Sequence, residues 1–141
     1  MVIETPRDVL SAILRRAAPR IVAQIADEAA RSVHAPDTMS AYRAWMERVA
    51  PIALDAIAAD DAPRARLLAE FGGVDVDSLR TVPPVARVGL LEIGIRLAHE
   101  EIDRETASRP DALEVQAEFR RFAEQLRAAL KAAGAVPNGG R

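Results

Sequence analysis

The chain has 141 residues, enough for one ordinary domain that buries roughly two-thirds of its unfolded surface. Half of the residues are apolar, only 4% are aromatic and the formal net charge is −2, without the basic stripe of a nucleic-acid binder. There is no cysteine, which excludes disulfides, thiolate nucleophiles and cysteine metal sites, and no apolar run has the length of a membrane span.

Thr5-Pro6-Arg7-Asp8 reads as an N-cap, a proline at the first helical position and a carboxylate in the first turn. Leu10, Leu14, Ala17, Ile21 and Ile25 follow at helical spacing, and Pro19 inside the pattern predicts a kink or a division into two helices. His34-Ala-Pro-Asp37 breaks the pattern, and Asp37 or Thr38 is placed to cap a second helix. In that helix Tyr42, Trp45, Val49, Ile52, Ala56 and Ala59 recur at steps of three and four. Pro51 repeats the internal proline and leaves the Glu47 carbonyl without its N–H partner. Asp60-Asp61 opens a short helix around Pro63–Phe71 that Gly72-Gly73 is expected to stop. Beyond it, Asp75 and Asp77 suit caps of a single helical turn around Ser78–Arg80.

Pro83-Pro84 starts a helix that is apolar on nearly every side, interrupted by Arg87, Glu92 and Arg96, which predicts a central position among other helices. Gly89 and Gly94 cost about 1 kcal/mol each against alanine in a helix interior, so close backbone approach is expected at both. Glu92, Arg96, Glu100 and Arg104 make a solvated charged face opposite Val88, Leu91, Ile95, Ala98 and Ile102. Ser108-Arg109-Pro110-Asp111 is a turn. A last helix then carries Val115, Phe119, Phe122, Leu126, Ala129 and Ala133 as its seam, and Gly134 ends it. Residues 135–141 read as a flexible tail or linker, leaving 1–134 as a single helical domain. The fold class is all-α, a compact globin-like or orthogonal helical bundle of four to six helices without a sheet.

No pattern carries recognisable chemistry. His34 reads as a turn residue. His99, one turn before Asp103, could ligate haem iron or a metal through a neutral imidazole nitrogen, but a boundary histidine hydrogen-bonded to a carboxylate is the preferred reading. No further ligands stand at zinc spacing, so neither a metal nor another cofactor is expected. Asp60-Asp61, Asp75/Asp77 and Glu100-Glu101 sit at caps or on the charged face, where solvated structural roles outweigh acid–base work. No nucleophile elbow or phosphate-binding loop occurs, which points away from an enzyme. Tyr42, Trp45 and Met46 could line a ligand pocket beside Pro51, with His99 a further candidate. Arg15, Arg16 and Arg20, clustered beside Pro19, could hold an anionic partner. Phe119 and Phe122 mark the last helix as a candidate partner surface, since apolar surface beyond what neighbours cover favours a twofold homodimer built on the first or last helix.

The run Leu79-Arg-Thr-Val-Pro-Pro-Val-Ala-Arg-Val-Gly-Leu-Leu-Glu-Ile-Gly-Ile-Arg96 resembles a segment of the RsbR-type N-terminal sensor domains of bacterial stress and PucR-like regulators. The matching positions are Pro83, Leu90, Leu91, Ile93, Gly94, Ile95 and Arg96, while Glu92 stands near the place of the family's mid-helix aromatic residue. The resemblance implies a globin-like helical fold without haem, dimerisation, and a regulatory role coupled to a downstream effector. The expected function is therefore that of a non-enzymatic cytoplasmic sensory or regulatory domain acting through a ligand or protein partner, with neither nucleic acid nor membrane as partner. A haem- or gas-binding sensor using His99 is the alternative.

Overall fold

Thr5 begins the first helix with a reciprocal cap. Its Oγ1 accepts from the Asp8 N–H at 3.1 Å, and the Asp8 carboxylate accepts from the Thr5 N–H at 3.1 Å. From this start the computed structural model describes residues 4–31, 36–73 and 82–135. Among the described residues the chain forms an all-α bundle of five helices and no strand. They are α1 (Pro6–Ala30), α2 (Pro36–Ala58), α3 (Asp61–Gly73), α4 (Pro84–Thr106) and α5 (Ala112–Ala135). His34, the expected turn around Ser78–Arg80 and residues 136–141 lie outside the described residues.

Neither internal proline divides its helix. Leu14 and Ala17 before Pro19, and Ile25 and Ala26 after it, are all buried, so both halves of α1 stay in one helix and share in the core. Pro19 and Pro51 are both exposed, where the missing N–H costs least. The second helix starts at Pro36, ahead of the expected caps at Asp37 or Thr38, as suits proline's fixed φ in a first turn.

α1 packs against α2, α4 and α5, and α5 packs against α1, α3 and α4. Those two helices, not the fourth, therefore occupy the heart of the bundle. α4 leaves its first turns outside: Val85 is 80% exposed and Val88 44%. Its buried face runs through Arg87, Leu90, Ile95, Ala98, Glu101, Ile102 and Thr106, turned away from the expected Val88. The turn begins at Arg87, whose Nε–H donates to the Val82 carbonyl at 2.9 Å just ahead of the Pro83 N-cap.

The glycines divide by what approaches them. α3 is described as far as Gly73, the second residue of the expected glycine stop. Gly72 lies inside the helix, and a Cβ there would stand 2.6 Å from the Ala129 carbonyl oxygen of α5. Gly94 meets Ile25 Cδ1 of α1, 3.1 Å from where a Cβ would be. Gly89 meets nothing within 4 Å and is exposed, so the close approach expected there does not exist.

The end of α2 is held by arginine. Its last carbonyls have no partner within the helix and carry the negative end of its dipole. Arg64 of α3, only 5% exposed, donates from Nε to the Ala56 carbonyl and from Nη2 to the Ile57 carbonyl, each at 2.9 Å. Arg7 of α1 donates to the Ala59 carbonyl at 2.9 Å. Both guanidinium groups also face Glu118 of α5, at 3.7 Å from Arg7 and 3.9 Å from Arg64.

Two substitutions test this packing by opposite signs. Gly72→Ala gains helix propensity, yet its methyl must push α3 off α5. Urea denaturation should show a net loss of about 1–3 kcal/mol. Gly89→Ala has open space and should gain up to about 1 kcal/mol. Arg64→Met keeps most of the side-chain volume but strands the buried Ile57 carbonyl and leaves that of Ala56 with the Ala59 N–H alone, and should cost about 1–3 kcal/mol by the same measurement.

Candidate functional site

The aromatic residues are few, and they are not dispersed. α2 presents Trp45 and Met46, α3 presents Phe71, and α5 presents Phe119 and Phe122 to one apolar cavity of about 140 Å³. This wall takes the chain's single tryptophan and all three of its phenylalanines. Trp45 and Phe71 are tilted at 51° with centroids 6.5 Å apart, a favourable aromatic geometry. α1 and α4 complete the wall with aliphatic side chains such as Leu14, Ile25, Leu90 and Ile95. Small residues on these faces, Ala53 and Ala98 among them, leave room that larger side chains would occupy.

Among the described residues the cavity wall carries no acid, base or nucleophile. Trp45 Nε1 is buried and has no hydrogen-bond partner. Ala18, Val22, Ala50 and Leu54 line both the cavity and a surface groove between α1 and α2. That groove also holds Pro19 and Pro51, neither of which can donate to the carbonyl four residues earlier, at Arg15 and Glu47. The two helix prolines thus line the groove that shares these four residues with the cavity.

The structure brings only part of the expected ligand set together. Trp45 and Met46 line the cavity. Tyr42 is half-buried at the edge of the core and does not. His99 lies in a separate charged depression with Glu92, Arg96, Asp103 and Arg127. Its Nδ1 is 3.7 Å from Asp103 Oδ1, an ion-pair separation when the ring is protonated and too long for the expected hydrogen bond. The ring instead tilts against Phe119, with centroids 5.9 Å apart. Phe119 and Phe122, expected to offer a partner surface, are buried within the chain and face the cavity. Their seam periodicity is that of core, and the same pattern could have marked them as cavity residues. Among the described residues the large exposed apolar side chains are Val85, Val88 and Leu113.

The arginines beside Pro19 do not converge. Arg15 reaches α2, donating to Asp55 at 3.2 Å and to the Leu54 carbonyl at 3.4 Å. Arg16 pairs with Glu105 of α4 at 3.4 Å, and Arg20 pairs with Glu101 of α4. Glu101, expected on the solvated face, is buried between Arg20 and Arg104. Burial pushes its carboxyl up, but the hydrogen bonds from the two arginines together outweigh burial and hold it below its ordinary value of 4.5. Across the charged depression, Arg127 grips both oxygens of Glu92 at 2.7 and 2.9 Å, which holds the Glu92 carboxyl low as well. Among the described residues no three His, Asp or Glu side chains are grouped to hold a metal ion, and no helix is long and apolar enough to cross a membrane.

No family model matches the chain, and neither does any curated protein or solved structure.

The Glu101 pairing has a pH signature. Its folded pKa lies below the unfolded one, so its stabilisation is fully present above the ordinary carboxylate value and is lost as pH falls through the folded value. Urea midpoints measured from neutral pH down through the carboxylate range should fall less steeply in Glu101→Gln than in the unmodified chain. The variant should be less stable at neutral pH.

Proposed function

We propose that this chain is a non-enzymatic sensory or regulatory domain whose input is a small apolar molecule held in the cavity at Trp45. The single observation that carries the reading is the cavity itself. Protein interiors have few voids larger than a water molecule, and this pocket, partly open to the surface, offers about 140 Å³ walled almost wholly by apolar atoms. A ligand that enters removes that apolar wall from water, and a cavity of similar size in another protein takes up benzene.

The wall comes from all five helices, so filling it changes how they press on one another. This is the form of coupling a sensor needs: a ligand that prefers one packing shifts the population toward it. The absence of titratable groups from the described wall favours binding over catalysis. The resemblance of Leu79–Arg96 to RsbR-type sensor domains points the same way and supplies the expected output, a second copy of the chain or a downstream effector. Contacts with either would draw on exposed side chains such as Val85 and Val88, since Phe119 and Phe122 are buried.

Trp45 is the only tryptophan, so its fluorescence reports on the cavity alone. Titration with toluene should give a saturable change in emission and raise the thermal midpoint, by about 2.7 kcal/mol of added stability at a hundredfold excess over Kd. Ala50→Leu, which extends a side chain from the wall into the space, should abolish both responses. No response up to the solubility limit of toluene would overturn the reading.

A further inference from the structure

We infer that the ligand reaches the Trp45 cavity between α1 and α2, through the groove that holds Pro19 and Pro51, and that Arg15 latches this entrance. The inference rests on the proposed use of the cavity as a ligand site and adds the route of entry and the contact that sets the rate of exchange.

Ala18 and Val22 of α1 and Ala50 and Leu54 of α2 line the cavity and the groove alike, so the two spaces meet at these four residues, two of them alanines. Other depressions offer less. Among the described residues the charged depression at His99 shares only Ile95 with the cavity, and the groove between α3 and α5 shares none. A toluene-sized molecule passes between α1 and α2 if Val22 and Leu54 swing aside and the helices part slightly. Both helices are weakened for that movement at the same level. Pro19 and Pro51 each lack the N–H that would tie the helix one turn back, to the carbonyls of Arg15 and Glu47, and all four residues line the groove. Helices bend most readily at such positions.

Arg15 ties the two helices together across the groove. Its guanidinium reaches from α1 to donate to the Asp55 carboxylate at 3.2 Å and to the Leu54 carbonyl at 3.4 Å. Leu54 is one of the four shared residues, so this contact holds the partition itself in place. Both charged side chains are at least half exposed, which makes the tie weak enough to open and close. Neither belongs to the cavity wall, so breaking the tie changes the entrance and leaves the ligand's surroundings intact.

Toluene exchange can be timed by NMR on the indole N–H signal of the single tryptophan, with Kd taken from the fluorescence titration. In Arg15→Ala the association and dissociation rates should rise together by about two- to fivefold, the range that one exposed ion pair holds back, with Kd unchanged. Ala23→Phe places a ring in the groove from a residue outside the cavity wall and should slow both rates. Arg127→Ala breaks the pair with Glu92 between α4 and α5 and should leave both rates as they are. Rates unmoved by Arg15→Ala, or raised equally by Arg15→Ala and Arg127→Ala, would overturn the route while toluene binding keeps the ligand-site reading. If toluene does not bind the unmodified chain, the cavity is not a ligand site and both readings fall.

Discussion

The carbonyl end of α2 is the place where the bundle is tied together. A helix terminus buried without partners would be costly, and here three other helices supply them. Arg64 of α3 spans the Ala56 and Ile57 carbonyls with its rigid fork, Arg7 of α1 takes the Ala59 carbonyl, and Glu118 of α5 faces both cations. The positive fork suits the negative end of the helix dipole. Burial lowers the pKa of the Arg64 guanidinium, and the nearby Arg7 charge adds to that, yet arginine starts so high that it stays charged. Arg64 also stacks over the Phe122 ring at 5.3 Å and donates to Gln125 at 3.2 Å. The same contact that closes α2 therefore sets the position of an aromatic wall residue of the cavity.

A void in the core follows from the composition of the helix faces. Alanine and glycine let α3 approach α5 at Gly72 and α1 approach α4 at Gly94, but they fill little space. Where four aromatic rings meet such faces, the rigid rings cannot flow into the remaining gaps. Packing close at the helix contacts and loose at the aromatic wall gives a stiff frame around an unfilled centre.

The surface charges act between helices. Glu28–Arg96 and Arg20–Glu101 join α1 to α4, Arg15–Asp55 joins α1 to α2, and Glu92–Arg127 joins α4 to α5. Exposed pairs of this kind contribute about 0–1 kcal/mol each, so their main effect is on register. Glu101 differs because it is buried, with a cation on either side. Removing either arginine would leave it short of the compensation that permits its burial.

The sequence by itself determined the helices and most of their inward faces. Local chemistry decides a capping box at Thr5 and Asp8, and spacing by three and four decides the seams through Trp45 and Val49 or Phe119 and Phe122. It could also name Trp45 and Met46 as pocket residues, since they lie together beside Pro51. Only the tertiary structure decided what those seams enclose. A seam residue looks the same in sequence whether it meets a neighbour, a second chain or an empty volume, so Phe119 and Phe122 could not be told from interface residues. α4 is apolar on so many sides that its pattern did not specify which side turns inward, and Arg87 and Glu101 were buried by partners distant in sequence or lying just before the helix. That Gly72 also makes room for α5 is visible only when Ala129, far along the chain, is brought against it. The missing partner of Trp45 Nε1 is a property of the assembled core, because only when every helix is in place is it settled which acceptors that nitrogen can reach.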